Sequence, residues 1–98
     1  MKMNVDQIKI IIDENLKFIS EAYGAKKFGV FGSVSRGDNL ESSDIDLLVE
    51  FSRPIGLFKF IELEDYLSEL LGKKVDLVTK NALKPAIKDD VLREVIYV

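Results

Sequence analysis

Two aspartates separated by a single residue, Asp44 and Asp46, begin an apolar run that ends at Phe51. Successive side chains of a β-strand point to opposite faces, so both carboxylates leave the same face and the alternating apolar side chains face a core. Carboxylates paired beside an apolar run are costly unless positive charge lies between them. Mg²⁺ is the expected cation, because it prefers hard oxygen ligands and substrate phosphates. The pair therefore predicts a magnesium site, with ordinary strand-end carboxylates as the alternative.

A third aspartate, Asp76, lies in the later apolar segment Val75–Thr79 and repeats this arrangement. If its strand neighbours the one that carries Asp44 and Asp46, all three carboxylates share one face of the sheet. Three such carboxylates match a site for two metal ions about 3.5–4 Å apart, which stabilise the attacking and the leaving oxygens of a displacement. Taken alone, Asp76 is more often a strand-end cap or a solvated edge residue.

Upstream of the aspartates, Gly32 and Ser33 directly follow the short apolar segment 27–31. A glycine at the junction of a strand and a turn lets backbone N–H groups approach a phosphate, and the serine hydroxyl adds a donor. Gly-Ser is also common in ordinary turns. Arg36 is a further nucleotide-binding candidate, because a guanidinium can hold a triphosphate through two hydrogen bonds. Its alternative role is to pair with a nearby acid and hold the loop.

The elements that must position these residues can be read from the spacing of apolar side chains. Apolar positions three and four apart predict helices at Val5–Tyr23 and Leu57–Leu71, whereas β-branched and aromatic runs predict three strands. A last helix is expected after Asn81 as its cap, with Pro85 in its first turn and Ile87, Val91, Leu92, Val95 and Ile96 buried. This order predicts an α/β (α+β) fold with a small, mixed, three-stranded sheet and flanking helices. The tail 95–98 is expected to pack on the sheet, with a partner surface as the alternative.

Composition narrows the possible chemistry. The 98 residues are expected to form one domain, 1–98, and they carry 14 Lys and Arg against 17 Asp and Glu, a net charge of −3. Cysteine and histidine are absent, which excludes disulfides, thiolate metal sites and histidine bases. Scattered lysines in an acidic chain disfavour direct nucleic-acid binding. The lack of a long apolar stretch or a secretory signal predicts a cytoplasmic protein that does not enter the membrane.

Together these residues form a specific pattern, Gly32-Ser33-x-x-Arg36-Gly37-x5-Ser43-Asp44-x-Asp46. The pattern resembles that of the nucleotidyltransferase superfamily of DNA polymerase β, and specifically its minimal (MNT) branch. Asp76 matches the third carboxylate of the family, and the resemblance extends over essentially the whole chain. It implies a core like the palm of polymerase β. The chain is most similar to the antitoxin-type MNT proteins that are encoded beside HEPN toxins.

The resemblance also implies roles for individual residues. Gly32 and Ser33 would hold the β- and γ-phosphates of a nucleoside triphosphate. Asp44 and Asp46 would coordinate two Mg²⁺ ions, and Asp76 would ligate the catalytic ion and help to deprotonate the attacking hydroxyl. The implied reaction is in-line attack at the α-phosphorus of ATP, which transfers AMP and releases pyrophosphate.

The acceptor is expected on another molecule, because no sequence remains for an acceptor domain. By resemblance, the acceptor is a tyrosine hydroxyl of a HEPN toxin, a ribonuclease, and this chain is the antitoxin. One alternative is an antitoxin module that covers its toxin without catalysis. Another is a nucleotidyltransferase for small molecules, of the aminoglycoside-modifying type, that acts as a homodimer. Nucleotide preference, acceptor residue and homo-oligomer formation stay open at this point.

Overall fold

The computed structural model describes residues 2–98 of the chain and has helices on both faces of one sheet. The elements follow in the order α1 (Val5–Tyr23), β1 (Ala25–Phe31), α2 (Ser33–Arg36), β2 (Ile45–Phe51), α3 (Leu57–Leu71), β3 (Val75–Thr79), a 3-10 turn (Lys80–Ala82), α4 (Pro85–Glu94) and β4 (Ile96–Tyr97). The predicted fold class is confirmed. Within residues 2–98, no helix is both long enough and apolar enough to span a membrane.

The sheet is mixed and has the strand order β3-β2-β1-β4. Strand β1 runs antiparallel to both β2 and β4, whereas β2 and β3 are parallel neighbours. The fourth strand was not predicted, because only Ile96 and Tyr97 form it, opposite Val30 and Gly29. Its pairing confirms that the C-terminal tail packs on the sheet.

One face of the sheet carries the main core and is covered by α1 and α3. Helix α1 begins with a capping box, in which the side chains of Asn4 and Gln7 each accept the other residue's backbone N–H, and it ends at Gly24 in the left-handed conformation. The predicted apolar spacing places the buried side chains of both helices towards the sheet. These are Ile8, Ile12, Ile19 and Tyr23 of α1 and Leu63, Leu67 and Leu71 of α3.

The other face is covered only in part, by the 3-10 turn and α4. Leu48, Leu83 and Val91 form a small buried cluster there. The expectation that Asn81 caps α4 is wrong, because Asn81 lies in the 3-10 turn and Lys84 stands at the N-cap, with Pro85 in the first turn as predicted. This partial cover leaves the sheet open beside α4, and the candidate site lies in that opening.

Two side chains expected to be buried by the last helix are instead exposed. Ile87 is 47% exposed, because α4 turns only a narrow face to the sheet, and Ile96 is 41% exposed on the edge strand β4. The helix also ends at Glu94, so Val95 and Ile96 lie beyond it. Val91 is buried as predicted.

Candidate active site

Asp46 and Asp76 are cross-strand neighbours on the partly covered face of the sheet. Each is the second residue of its strand, and they occupy the same register position of parallel β2 and β3. Neighbouring strands lie about 4.8 Å apart, so the two side chains leave the sheet side by side. Burial raises the pKa of Asp46 above its ordinary value, and the charges of Asp76 and Asp44 raise it further. The Arg36 guanidinium acts in the opposite direction on this pKa.

Asp44 stands just before β2 and is turned towards solvent. Its side chain is 44% exposed, and its carboxylate lies 3.9 Å from the Lys74 ammonium, which is itself largely exposed. Such solvated ion pairs contribute little and are easily broken. Within residues 2–98, no three carboxylates lie close enough together to hold a metal ion as they stand. The three predicted aspartates are therefore arranged as a cross-strand pair, Asp46 and Asp76, with Asp44 nearby and facing Lys74.

Gly32 joins the Gly-Ser turn to the aspartate pair. It follows Phe31, the β1 residue that pairs with Asp46, and it adopts a φ of 74° and a ψ of −151°. A side chain in this conformation is strained, and a Cβ at this position would overlap the Asp46 Oδ2 atom. Only glycine therefore allows the turn to pass this close to the carboxylate.

A residue that the sequence did not single out, Glu94, closes the other side of this turn. The Gly32 N–H donates to Glu94 Oε1 over 3.0 Å, and Arg36 Nη1 lies 3.2 Å from Glu94 Oε2. Arg36 Nε also donates to Asp38 Oδ2 over 3.2 Å. Hydrogen bonds to Asp38 and Glu94 raise the pKa of the Arg36 guanidinium above its ordinary value. Arg36 thus makes the acid pairing that was one of its two expected roles.

The segment between the turn and β2 is held by its own serines. Ser33 is the first residue of the short helix α2, and Ser35 Oγ donates to the Gly32 carbonyl over 2.9 Å. Ser43 Oγ accepts the Leu40 N–H over 2.8 Å, so Ser43 supports a turn in the backbone. These local bonds fix the approach of the chain to Asp44.

Two adjoining depressions meet at Asp46. The main cleft has a volume of about 800 Å³ and is lined by Phe31, Gly32, Ser33, Arg36, Asp46, Ile87, Asp90, Val91, Arg93 and Glu94. The side hollow has a volume of about 370 Å³ and is lined by Phe31, Asp46, Asp76, Leu77, Val78, Ala82, Leu83, Lys84 and Ile87. Asp46 lines both, whereas the Gly-Ser turn lines only the main cleft and Asp76 only the side hollow. A ligand that spans the two depressions would therefore pass over Asp46.

This arrangement of a Gly-Ser turn against a pair of strand aspartates coincides with the match to a protein-family model. The model describes a nucleotidyltransferase domain and matches residues 12–98. The chain belongs to this family. The predicted resemblance and the prediction of a nucleotidyltransferase are confirmed. The match includes the whole Gly-Ser turn and all three aspartates.

A relative of known activity class and a relative of known structure both support membership of this family. The chain is 48% identical over 96 residues to the protein adenylyltransferase MntA of Thermococcus cleftensis, a match that covers 98% of this chain and 97% of the relative. A candidate minimal nucleotidyltransferase of known structure is 37% identical, with a TM-score of 0.77 over 96% of this chain and 95% of the other.

A more distant structure contains a tri-AMPylated HEPN toxin of Shewanella oneidensis with its MNT antitoxin. The matched chain there is 20% identical, with a TM-score of 0.65 over 92% of this chain and 70% of the other. At that identity the likeness concerns the fold alone.

Proposed function

We propose that this chain is a Mg²⁺-dependent protein adenylyltransferase, which transfers AMP from ATP to a hydroxyl of a HEPN-domain toxin and so acts as its antitoxin. The observation that carries the proposal is the close approach of the Gly-Ser turn to Asp46, so close that a Cβ on Gly32 would overlap the carboxylate, at the residue where two depressions meet. The name of the Thermococcus cleftensis relative supports transfer to a protein. We further propose that residues 1–98 act as one minimal catalytic domain.

The residues present fit Mg²⁺ by their donor chemistry. Mg²⁺ sites usually combine one or two carboxylates with substrate phosphates and water rather than a complete cage of protein ligands. Asp46 and Asp76 would supply the carboxylate pair, and Asp44 would join them after leaving its weak ion pair with Lys74. When bound, Mg²⁺ supplies positive charge that polarises the reacting phosphate and lowers the pKa of the attacking hydroxyl.

The chain's own groups would orient the triphosphate and remove one proton. Ser33 and Arg36 would hold the outer phosphates from the main cleft, with the Gly32 turn close to the carboxylates. An acceptor hydroxyl oxygen would attack the α-phosphorus while the bond to the bridging oxygen of the β-phosphate breaks. The hydroxyl proton would pass to the Asp76 carboxylate, and pyrophosphate would leave. The catalytic advantage would come mainly from positioning and charge stabilisation.

The side hollow suggests the direction from which the acceptor arrives. Its lining includes Asp76 and Asp46 but neither residue of the Gly-Ser turn, and most of it is apolar. An apolar hollow that ends at a carboxylate suits a hydroxyl carried on an apolar side chain, such as that of tyrosine. The distant structural relative contains an AMPylated HEPN toxin, which supports a toxin of this class as the acceptor.

The decisive experiment mixes the purified chain with its HEPN partner, ATP and Mg²⁺ and measures the intact mass of the partner. We expect one or more adenylyl additions, which disappear with EDTA and in the Asp46→Asn variant. Asp65→Asn on α3, an exposed substitution with the same charge change, is the matched control and should retain transfer.

Other outcomes would replace this proposal with a specific alternative. Toxin inhibition that persists in Asp46→Asn, with no mass added, would indicate an antitoxin that acts by binding alone. AMP added only to a small hydroxylated compound would indicate the aminoglycoside-type activity. Addition of a different nucleotide would change the donor and leave the acceptor class standing.

A further inference from the structure

Arg36 is held on two sides by carboxylates, which leaves one side of its guanidinium for a ligand. A guanidinium has five N–H donors in a rigid plane. In this chain Nε donates to Asp38, and Nη1 donates to both oxygens of Glu94 at 3.4 and 3.2 Å. The two hydrogens on Nη2 have no protein acceptor among residues 2–98. The side chain is half-exposed and lines the main cleft, so those donors are accessible there.

Glu94 differs from Asp38 because it binds the phosphate-binding turn as well as the guanidinium. Its Oε1 atom accepts the Gly32 N–H, and the same carboxylate accepts from Arg36 Nη1. Glu94 is the last residue of α4, and its side chain is only 27% exposed. The Glu94 carboxylate thus fixes the position of the Gly-Ser turn relative to the Arg36 guanidinium.

From this geometry we propose that Glu94 is a positioning residue for triphosphate binding. It holds Arg36 so that Nη2 would face the phosphates of a triphosphate in the main cleft. It also holds the Gly32–Ser33 turn at a fixed distance from the Arg36 guanidinium, so that both groups can contact the same phosphates. The inference rests on the proposed function, since it takes the outer phosphates of ATP as the ligand of this cleft. It adds a specific role for a residue on α4, which lies outside the Gly-Ser and aspartate motifs.

The charges around Arg36 explain why such a residue is needed. Asp46 lines the same cleft as Arg36, so a guanidinium released from Glu94 would have this second carboxylate within the cleft. An Arg36 side chain that moved to Asp46 would neutralise a proposed metal ligand and withdraw its donors from the phosphates. The contact of Nη1 with Glu94 opposes this movement, because a planar guanidinium that also donates from Nε to Asp38 has little rotational freedom left.

The test measures binding of Mg²⁺-tripolyphosphate and Mg²⁺-ATP by isothermal titration calorimetry, so that it does not depend on the acceptor protein. We expect Glu94→Ala to weaken binding of both ligands about tenfold, the scale of one lost charge-assisted contact. Glu94→Gln should lose less, because its side-chain oxygen can still accept the Gly32 N–H. Asp89→Ala, an exposed acid on the same helix, is the matched control and should bind like the wild type.

A double-variant cycle separates positioning from a general loss of stability. Because Glu94 is proposed to hold both Arg36 and the turn, Glu94→Ala should weaken tripolyphosphate binding less in the Arg36→Ala background, where only the turn contact is left to lose, than in the wild type. If Glu94→Ala weakens binding equally in the wild type and in Arg36→Ala, and lowers the melting temperature equally in both, the proposal is overturned. Tighter binding by Glu94→Ala would also overturn it, because it would mean that Glu94 competes with phosphate for the turn. Failure of the wild type to bind either ligand would instead overturn the proposed function.

Discussion

Asp46 and Asp76 lie directly opposite each other on parallel strands, on a face of the sheet that α4 covers only in part. Hydrogen-bonded strands hold their side chains at a fixed separation, so the two carboxylates cannot move far apart without breaking the sheet. Like charges directly opposite each other on a sheet are destabilising. The site therefore reduces the stability of the fold in the absence of a cation, and this effect can be measured.

Replacing Asp46 with asparagine should stabilise the protein without metal at neutral pH. The substitution removes a charge that burial and two neighbouring aspartates disfavour, while it retains the size of the side chain. We expect a gain of a few tenths to about 1 kcal/mol in the free energy of unfolding, measured by urea titration in EDTA. Asp44→Asn is the contrast, because its half-exposed side chain already faces Lys74, and it should change stability by less than about 0.5 kcal/mol.

The stabilisation by Asp46→Asn should depend on pH in a defined direction. The folded chain raises the pKa of Asp46, so the proton is bound more tightly in the folded state than in the unfolded state. Below the ordinary carboxyl pKa, Asp46 is protonated in both states and does not lower the free energy of unfolding. As the pH rises from the ordinary pKa to the raised pKa of the folded state, the aspartate lowers the free energy of unfolding progressively. Above the raised pKa this loss of stability is complete. A constant difference between wild type and variant from acid to neutral pH would contradict this account.

Gly32→Ala should both destabilise the fold and remove nucleotide binding. The new Cβ would meet the Asp46 carboxylate, and the positive φ adds strain of its own. We expect a loss of about 1–3 kcal/mol in unfolding free energy, measured by urea titration.

Asp46→Ala separates the two causes of that loss, because it removes the carboxylate that the new Cβ would meet. In the Asp46→Ala background, Gly32→Ala should cost less unfolding free energy than in the wild type, since only the strain of a φ of 74° and a ψ of −151° is left. Gly37→Ala is a milder control: Gly37 lies in the left-handed region, with a φ of 78° and a ψ of 11°, and no heavy atom lies within 4 Å of the position where its Cβ would be built. An equal loss for Gly32→Ala in both backgrounds would mean that the contact with the carboxylate is not the cause.

The aspartates and the Gly-Ser turn could be predicted from sequence because strand periodicity and local motif spacing determine them. The contribution of Glu94 could not, because its contact with Gly32 joins residues 62 positions apart and depends on where α4 ends. The position of Asn81 was misjudged for a related reason. Lys80–Ala82 forms an exposed 3-10 turn that contacts β2, and a capping residue gives no sign of such a turn in advance.

Strand β4 depends on a close approach to β1 that only a residue without a side chain permits. A Cβ built on Gly29 would lie 2.5 Å from Val95 Cγ2 and 3.2 Å from the Tyr97 ring. Gly29→Ala should therefore cost about 1–3 kcal/mol in unfolding free energy, because overpacking forces the tail away from the sheet. Thermal unfolding followed by circular dichroism measures this loss.

Val95→Ala should restore most of the stability lost in Gly29→Ala, because it removes the methyl group that the new Cβ would meet. Val95→Ala alone is the necessary reference, since Val95 packs against the small cluster of Leu48, Leu83 and Val91. A double variant no more stable than the sum of the two single losses would show that the two side chains do not interact.

Mg²⁺ and ATP together should raise the melting temperature of the wild type, and this rise should require Asp46. A ligand at a hundred times its dissociation constant stabilises the folded state by about 2.7 kcal/mol, which corresponds to roughly 10–20 °C for a chain of this size. ATP in EDTA should give a much smaller shift, because the phosphates would then face Asp46 and Asp76 without a cation between them. Asp46→Asn should lose most of the Mg²⁺-dependent part, whereas the exposed control Asp65→Asn should keep it. An equal shift in Asp46→Asn would mean that the nucleotide binds away from the aspartate pair.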